Sequence, residues 1–248
     1  MFKYKCIIFD LDGTIYFGNE LAPRANDVIT KLRNKFDTVF FMTNNSAKTR
    51  EQIHAKLVSM GIDVKIDEVI TSSYAIAKYL KYNNFTDVYC IGTEYLKEEI
   101  ELQNINTKSK KPQAIVVGYN SNFKLDDLNE LLNINLEKYK LIIANRERCY
   151  PKEKGYIVPG AGPIVSAVEN LLNKNVDIVI GKPSIEMLKM AVLNLNILPN
   201  EICVIGDSFE SDIEMAKKYG ADGILITKDK KYNCKCIEKL ADLLDIIK

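Results

Sequence analysis

The chain has 248 residues, of which 47% are hydrophobic, and this is enough for one large domain or two modest ones with buried cores. Its 34 basic and 33 acidic residues give a net charge of +1, which creates no field attracting nucleic acid or an anionic membrane surface. No apolar run approaches the roughly 20 residues that a membrane-spanning helix needs. We therefore expect a globular cytoplasmic protein with no nucleic-acid or membrane partner.

The cysteines and the single histidine exclude several chemistries. Three cysteines lie in apolar runs, where a free thiol behaves as a small hydrophobic side chain. Cys234 and Cys236 form a Cys-x-Cys pair, but no second Cys or His pair has the spacing of a zinc site. His54 lies in a predicted helix, where a packing role is expected. Acid–base chemistry must therefore come from carboxylates.

Short apolar runs alternate with longer amphipathic stretches, which is typical of a parallel sheet with crossover helices. The predicted strands are 5–9, 38–42, 69–71, 88–91, 114–117, 141–144, 177–180, 202–205 and 223–226. The predicted helices are 25–35, 49–60, 74–82, 125–137, 162–174, 185–195 and 211–219. The sequence therefore predicts an α/β fold.

Polar side chains directly follow four of the predicted strands. They are Asp10 with Asp12, Thr43 with Asn44, Lys182, and Asp207 with Asp212. Ligands of an open α/β sheet bind outside the carboxyl ends of its strands, so we expect these side chains to converge. The strands 88–91, 114–117 and 141–144 lack such endings. This difference predicts a core formed by residues 1–80 and 179–248, with residues 81–178 inserted as a unit with its own small sheet.

Asp10 and Asp12 are two residues apart at the end of a strand and so project to the same face. At about 4 Å and an effective dielectric of about 20, their repulsion is on the order of 4 kcal/mol, so a cation should lie nearby. A surface Asp-x-Asp-Gly turn is the alternative, but the buried strand before Asp10 favours a functional site. Several carboxylates together suit Mg²⁺, and Lys182 adds a positive charge that suits a phosphate dianion.

These groups are the parts that phosphoryl transfer needs. A metal and a cation neutralise the transferring oxygens, and a carboxylate can act as the nucleophile that forms an aspartyl-phosphate. A second carboxylate two residues further on can protonate the leaving oxygen and later deprotonate the attacking water.

The motifs resemble those of the haloacid dehalogenase-like hydrolases. Asp-Leu-Asp-Gly-Thr at 10–14 resembles the first motif of that superfamily, Thr43 the second, Lys182 the third, and the acidic segment 206–212 the fourth. Within the superfamily, the chain is similar to the group containing NagD, the p-nitrophenyl phosphatase-like proteins and the animal pyridoxal and phosphoglycolate phosphatases. Tyr-x-Gly at 16–18 is one of the shared marks of that group.

The resemblance implies a Rossmann-like, doubly wound core with an inserted α/β cap, and it implies a role for each motif residue. Asp10 is the implied nucleophile and a Mg²⁺ ligand, and Asp12 is the implied general acid/base that also gives a backbone carbonyl to the metal. Asp207 is a further implied metal ligand, and Asp212 lies behind it or orients Lys182. Phosphate binding is implied for three residues, which are Thr43, Asn44 and Lys182.

The predicted insert is less informative about the substrate. Relatives commonly have Thr-Asn-x-Asp where this chain has Ala-Asn-Arg-Glu-Arg at 144–148, so the acidic residue is changed or shifted. Asn145, Arg146 and Arg148 are candidate contacts for the leaving group, and the alternative for the two arginines is a solvated loop. The expected partner is a small phosphorylated metabolite, and the resemblance allows a homodimer.

The main functional prediction is a Mg²⁺-dependent phosphatase acting on small phosphate monoesters, such as sugar phosphates or nucleotides, through an aspartyl-phosphate. The alternative is a non-catalytic phosphometabolite-binding or regulatory protein. The complete set of motifs argues against that alternative, because a non-catalytic relative could lose Asp12 without harm to its fold. A dehalogenase is disfavoured by Asp12, and the common type of phosphomutase by the position of the insert.

Overall fold

The structure is a computed structural model, which describes residues 3–151 and 156–247. Parallel strands alternate with helices, so the predicted α/β class is confirmed. The chain divides into two compact units. The first contains residues up to Thr43, Arg50–Ile70 and the residues from Lys182 onward, and the second contains Asn44–Thr49 and Thr71–Gly181. The predicted bounds of the insert, 81 and 178, stay a prediction.

The first unit is built on a six-stranded sheet with the order β14-β13-β12-β1-β4-β5. Its strands are β1 (Cys6–Asp10), β4 (Thr38–Thr43), β5 (Val69–Thr71), β12 (Ile202–Gly206), β13 (Asp222–Ile226) and β14 (Lys235–Ile237), and a short hairpin is formed by β2 (Tyr16–Phe17) and β3 (Glu20–Leu21). Its helices are α1 (Ala25–Arg33), α2 (Arg50–Ser59), α6 (Ile185–Val192), α7 (Glu214–Tyr219) and α8 (Leu243–Ile246).

Strand β1 lies in the middle of this sheet and is buried along its whole length. It pairs in parallel with β4 on one side and with β12 on the other. Phe9 lies opposite Phe41 in the register, and their rings stack with centroids 6.0 Å apart. Because parallel strands end at the same edge of a sheet, Asp10, Thr43 and Asp207 come to one edge.

The second unit has a four-stranded parallel sheet with the order β11-β8-β7-β6. Its strands are β6 (Val88–Ile91), β7 (Ala114–Val117), β8 (Lys140–Ile143) and β11 (Ile178–Val179), and a separate antiparallel hairpin is formed by β9 (Cys149–Pro151) and β10 (Ile157–Pro159). Its helices are α3 (Ser72–Tyr82), α4 (Glu94–Glu101) and α5 (Gly162–Leu172). Residues such as Val117, Ile143 and Val165 form its core.

Two segments differ from the predicted elements. The predicted helix 125–137 is a shorter 3₁₀ helix, Leu125–Leu132, in which Leu128 and Leu131 are buried. Their spacing of three residues matches the three residues per turn of a 3₁₀ helix. Helix α4 was not predicted. It begins after Thr93, whose hydroxyl accepts a hydrogen bond from the N–H of Leu96 at 3.3 Å, and this capping signal is present in the sequence.

An ion pair between Arg33 and Glu68 connects the end of α1 to the turn before β5. Arg33 Nη1 and Nη2 lie 2.8 and 2.5 Å from the two carboxylate oxygens, and the N–H of Lys65 donates to the same carboxylate at 2.7 Å. Partial burial alone would raise the pKa of Glu68, but these hydrogen bonds and the Arg33 charge lower it overall.

We predict that Glu68→Gln removes a pH-dependent part of the stability. The folded-state pKa of Glu68 lies below its unfolded value of about 4.3, so its stabilisation is present above that pH and is lost as the pH falls through the folded-state pKa. Urea denaturation at neutral pH should show a loss of about 1–2 kcal/mol. The loss should shrink as the pH falls below the unfolded value and through the lowered folded-state pKa of Glu68. Glu238→Gln, at an exposed position, is the control, and a loss that does not depend on pH would contradict the assignment.

Candidate active site

Lys182 lies between two buried carboxylates at the carboxyl edge of the first sheet. Its ammonium group forms an ion pair with Asp10, and it lies 2.7 Å from Asp212 Oδ1. The exposed fractions of Asp10, Lys182 and Asp212 are 7%, 6% and 0%. Burial alone would lower the pKa of Lys182, but the two carboxylates raise it overall, so the ammonium stays charged.

Three carboxylates form an acidic cluster, which consists of Asp10, Asp207 and Asp212. One oxygen from each lies within 4.8 Å of the others. Burial raises the pKa of Asp10 and the neighbouring carboxylates raise it further, whereas Lys182 opposes this shift. Desolvation and the charge of Asp212 likewise raise the pKa of Asp207, although its side chain reaches the surface. Lys182 thus pairs with two of the three acids, and a bound cation would balance the remaining negative charge.

The cluster fits a divalent metal ion. Its donor atoms are all carboxylate oxygens, the ligands that hard cations such as Mg²⁺ prefer. Two glycines make room for these carboxylates. A Cβ at Gly13 would lie 2.3 Å from Asp207 Oδ2, and a Cβ at Gly206 would lie 2.1 Å from Asp212 Oδ2. Gly13 also has φ +93°, a conformation that favours glycine.

The turn after β12 holds Asp212. Residues Phe209–Ile213 form a π-helical turn that precedes α7, and the predicted helix began within it at 211. The N–H of Asp212 donates to the carbonyl of Ser208 at 3.0 Å, and the N–H of Ser208 donates to Asp212 Oδ2 at 3.2 Å. These bonds orient the carboxylate toward Lys182.

Asp12 has a different environment from Asp10. Whereas Asp10 is buried, Asp12 is exposed on the turn after β1. The hydroxyl of Tyr16 donates a hydrogen bond to Asp12 Oδ2 at 3.2 Å. The two aspartates that the sequence places side by side therefore differ in solvation, although Asp12 is not part of the side-chain cluster.

Thr43 and Asn44 fall on either side of the unit boundary. Thr43 is the buried last residue of β4 and belongs to the first unit, whereas Asn44 belongs to the second. The carbonyl of Asn44 accepts hydrogen bonds from Ser72 Oγ at 2.8 Å and Asn145 Nδ2 at 3.0 Å. Its side-chain amide donates to Glu147 Oε1 at 2.8 Å. Asn44 is therefore closely attached to the second unit.

The three candidate residues of the insert differ in their contacts. Asn145 is buried, and its amide holds the backbone of Asn44. Arg146 forms two hydrogen bonds with Glu169, at 3.0 and 2.6 Å. The side chain of Arg148 is exposed and, within residues 3–151 and 156–247, forms no hydrogen bond or ion pair, whereas its backbone carbonyl accepts from the N–H of Gly160 at 2.9 Å. Both arginines line a cavity of about 220 Å³ with Gly162, Pro163 and Ser166 at the start of α5.

Sequence reasoning missed several residues that shape the site. The steric roles of Gly13 and Gly206 were not predicted, because they depend on carboxylates distant along the chain. The Tyr16 contact was also missed, although Tyr16 lies in a motif that the sequence singled out. Glu147 was considered only as a changed or shifted acidic residue, and its contact with the Asn44 amide was not predicted.

Comparisons with known proteins show the family of the chain. A family model described as haloacid dehalogenase-like hydrolase matches residues 7–106, and a HAD-hydrolase-like model matches residues 179–241. The sugar-phosphatase AraL of Bacillus subtilis (strain 168) is 31% identical over 223 residues, which are 89% of this chain and 82% of that protein. The 5'-nucleotidase YutF of the same strain is 28% identical over 228 residues, covering 91% of this chain and 88% of YutF.

Among solved structures, the p-nitrophenyl phosphatase from Archaeoglobus fulgidus has a TM-score of 0.89 and 25% identity. The match covers 98% of this chain and 99% of that one. The resemblance drawn from the motifs is thus confirmed across nearly the whole chain, and this chain belongs to the haloacid dehalogenase-like hydrolases.

Proposed function

We propose that the protein is a Mg²⁺-dependent phosphatase that hydrolyses small phosphate monoesters through an aspartyl-phosphate on Asp10. The observation that carries this proposal is the pairing of Lys182 with Asp10 and Asp212 beside Asp207. The related AraL and YutF are a sugar phosphatase and a 5'-nucleotidase, and this chain is, like them, a phosphoric monoester hydrolase. A sugar phosphate or a nucleotide is therefore the proposed substrate class.

In the first step, a carboxylate oxygen of Asp10 attacks phosphorus, and the bond to the leaving oxygen breaks. Asp12 gives its proton to that oxygen, so the alcohol leaves as a neutral molecule. In the second step, Asp12 takes a proton from a water molecule, which attacks phosphorus and releases phosphate and the free carboxylate of Asp10. Thr43, Asn44 and Lys182 are proposed to hold the phosphate oxygens.

Asp10 and Asp207 would hold Mg²⁺ with the backbone carbonyl of Asp12, while Asp212 orients Lys182. The ion, when bound, supplies positive charge that stabilises the phosphoryl oxygens. The inserted unit is proposed to act as a cap that favours small substrates over proteins. A cytoplasmic location and a homodimer stay predictions.

We predict that Asp10→Asn lowers phosphate release from p-nitrophenyl phosphate by at least about a thousandfold, because the amide is a poor nucleophile. Phosphate release under Mg²⁺ is the measurement, and thermal unfolding reports whether the variant folds. Asp67→Asn, the same change at an exposed position of the first unit, should retain full activity. Retained activity in Asp10→Asn would remove the proposed mechanism. Binding of sugar phosphates without turnover of any would instead support a non-catalytic binding protein.

Metal removal should also abolish activity. We expect excess chelator to stop phosphate release and added Mg²⁺ to restore it. Asp207→Asn should raise the Mg²⁺ concentration needed for half-maximal activity by at least about tenfold, since it weakens one ligand of the acidic cluster. The control Asp67→Asn should require the same Mg²⁺ concentration as the wild type. Full activity in chelator would contradict the metal requirement.

Of the two arginines of the insert, we propose that Arg148 contacts an anionic leaving group, because Arg146 is already paired with Glu169. With the best substrate from a metabolite panel, Arg148→Ala should raise KM about tenfold, which matches the loss of one hydrogen bond to a charged group. Arg146→Ala should raise KM less. Lys138→Ala removes an exposed charge of the same unit and serves as the control. Equal KM values for Arg148→Ala and the control would exclude the contact.

A further inference from the structure

Tyr16 belongs to the Tyr-x-Gly motif to which the proposed chemistry assigns no role. Its side chain is 1% exposed and belongs to the hydrophobic core of the first unit. The N–H of Tyr16 donates to the carbonyl of Leu11 at 3.2 Å, and its own carbonyl accepts from the N–H of Gly13 at 2.8 Å. These bonds close the turn that contains Asp12 and fix the backbone on both sides of that residue.

The Tyr16 ring is also held from the side of helix α2. The ammonium of Lys56 lies 3.5 Å from the ring centroid, within the range of a cation–π interaction. Lys56 and Tyr16 both belong to the first unit. The ring therefore has a fixed position, and its hydroxyl reaches back over the turn to Asp12 Oδ2.

Among the residues that the structure describes, the Tyr16 hydroxyl is the one hydrogen-bond partner of the Asp12 carboxylate. An O–H donor stabilises an oxygen that carries no proton. When Asp12 is protonated, the bond from Tyr16 to Oδ2 therefore favours the proton on Oδ1. An exposed carboxyl group without such a partner would distribute its proton between both oxygens and several rotamers.

We propose that Tyr16 is a positioning residue, which fixes the Asp12 carboxyl group so that Oδ1 carries the transferable proton. The proposal rests on the proposed function, because it concerns the step in which Asp12 acts as the acid. As the phosphorus–oxygen bond breaks, its electron pair stays on the leaving oxygen, which receives the proton from Oδ1. Tyr16 itself gains and loses no proton and contacts no reacting atom.

The test compares two substrates of nearly equal shape, phenyl phosphate and p-nitrophenyl phosphate. Phenolate is strongly basic, like the tyrosine side chain with a pKa of about 10, and it needs a proton to leave. Nitrophenolate is far less basic and leaves without one. A residue that positions the general acid should therefore affect phenyl phosphate selectively, whereas a merely structural residue should slow both substrates equally.

We expect Tyr16→Phe to slow the release of phenol in the first turnover about tenfold, a fraction of the 10²–10⁴ that general acid catalysis contributes. The release of nitrophenol should change by less than about twofold, and KM should stay within about twofold for both substrates. Equal slowing of both substrates, or no slowing with phenyl phosphate, would overturn the proposal.

Tyr4→Phe is the matched control. Tyr4 is also a buried residue of the first unit, and its hydroxyl donates to a carboxylate, Asp222 Oδ2, at 2.7 Å. The same atom and the same kind of hydrogen bond are removed there, so the ratio of the two substrate rates should stay at the wild-type value. A changed ratio in Tyr4→Phe would show that the readout does not report on Asp12, and the proposal would lose its support.

A second variant covers the case in which Tyr16→Phe does not fold. Lys56→Met keeps the apolar stem and removes the charge above the ring. It should therefore slow phenol release more than nitrophenol release, by a smaller factor than Tyr16→Phe does. A uniform effect or none would overturn the proposal in that case. Failure of the proposed function is distinguishable, because it would leave the wild type and Asp10→Asn equally slow with both substrates.

Discussion

The attraction between the buried ammonium of Lys182 and the carboxylates of Asp10 and Asp212 is the interaction on which the site depends. An unpaired buried charge costs several kcal/mol, so none of these groups is stable in its place without the others. Asp10 ends the first strand, Lys182 begins the last part of the first unit, and Asp212 follows β12. The folding of this unit and the assembly of the site are therefore coupled.

The strand order of the first sheet brings Asp10, Thr43 and Asp207 together. Because β1 lies between β4 and β12, Asp10 has Thr43 on one side and the Gly206–Asp207 turn on the other. Asp10 and Thr43 are the last residues of their strands, Asp207 directly follows β12, and Asp212 lies in the turn beyond it. The strands of the sheet thus determine where the polar side chains lie, and the turns after the strands determine the directions in which these side chains point.

Much of this arrangement could be predicted from the sequence, because two signals are local. Apolar runs identify most strands of both sheets, with several bounds correct to the residue, including 88–91 and 114–117. Polar residues after the strand ends predict that Asp10 and Asp207 meet at one sheet edge. The strand before Lys182 was expected in the same sheet, but it is β11 of the second sheet, and Lys182 reaches Asp10 through the chain that follows it. The short strands β2, β3, β9 and β10 carry too few residues for an alternating pattern, and β14 lies in a lysine-rich segment that reads as a loop.

The unpredicted part of the site depends on contacts between distant residues. Periodicity reports which face of an element is buried, but it does not report which carboxylate lies against which glycine. The pairing of Arg146 with Glu169, 23 residues further along, is of the same kind, since the sequence predicts Arg146 only as a leaving-group contact or a solvated loop residue. Tyr16 and Asp12 are close in sequence, yet their contact requires the turn between them to fold back.

The place of Gly206 has a consequence for the evolution of the site. The Asp212 carboxylate fills the space that any side chain at position 206 would occupy. A residue that contributes no side-chain group is therefore constrained by the carboxylate that lies against it. Substitutions at the aspartates remove a chemical group and leave the space intact, whereas even alanine at 206 would displace a charge from its partner. Directed evolution of this site must therefore keep glycine at position 206, so that the Asp212 carboxylate retains its place while the groups around it change.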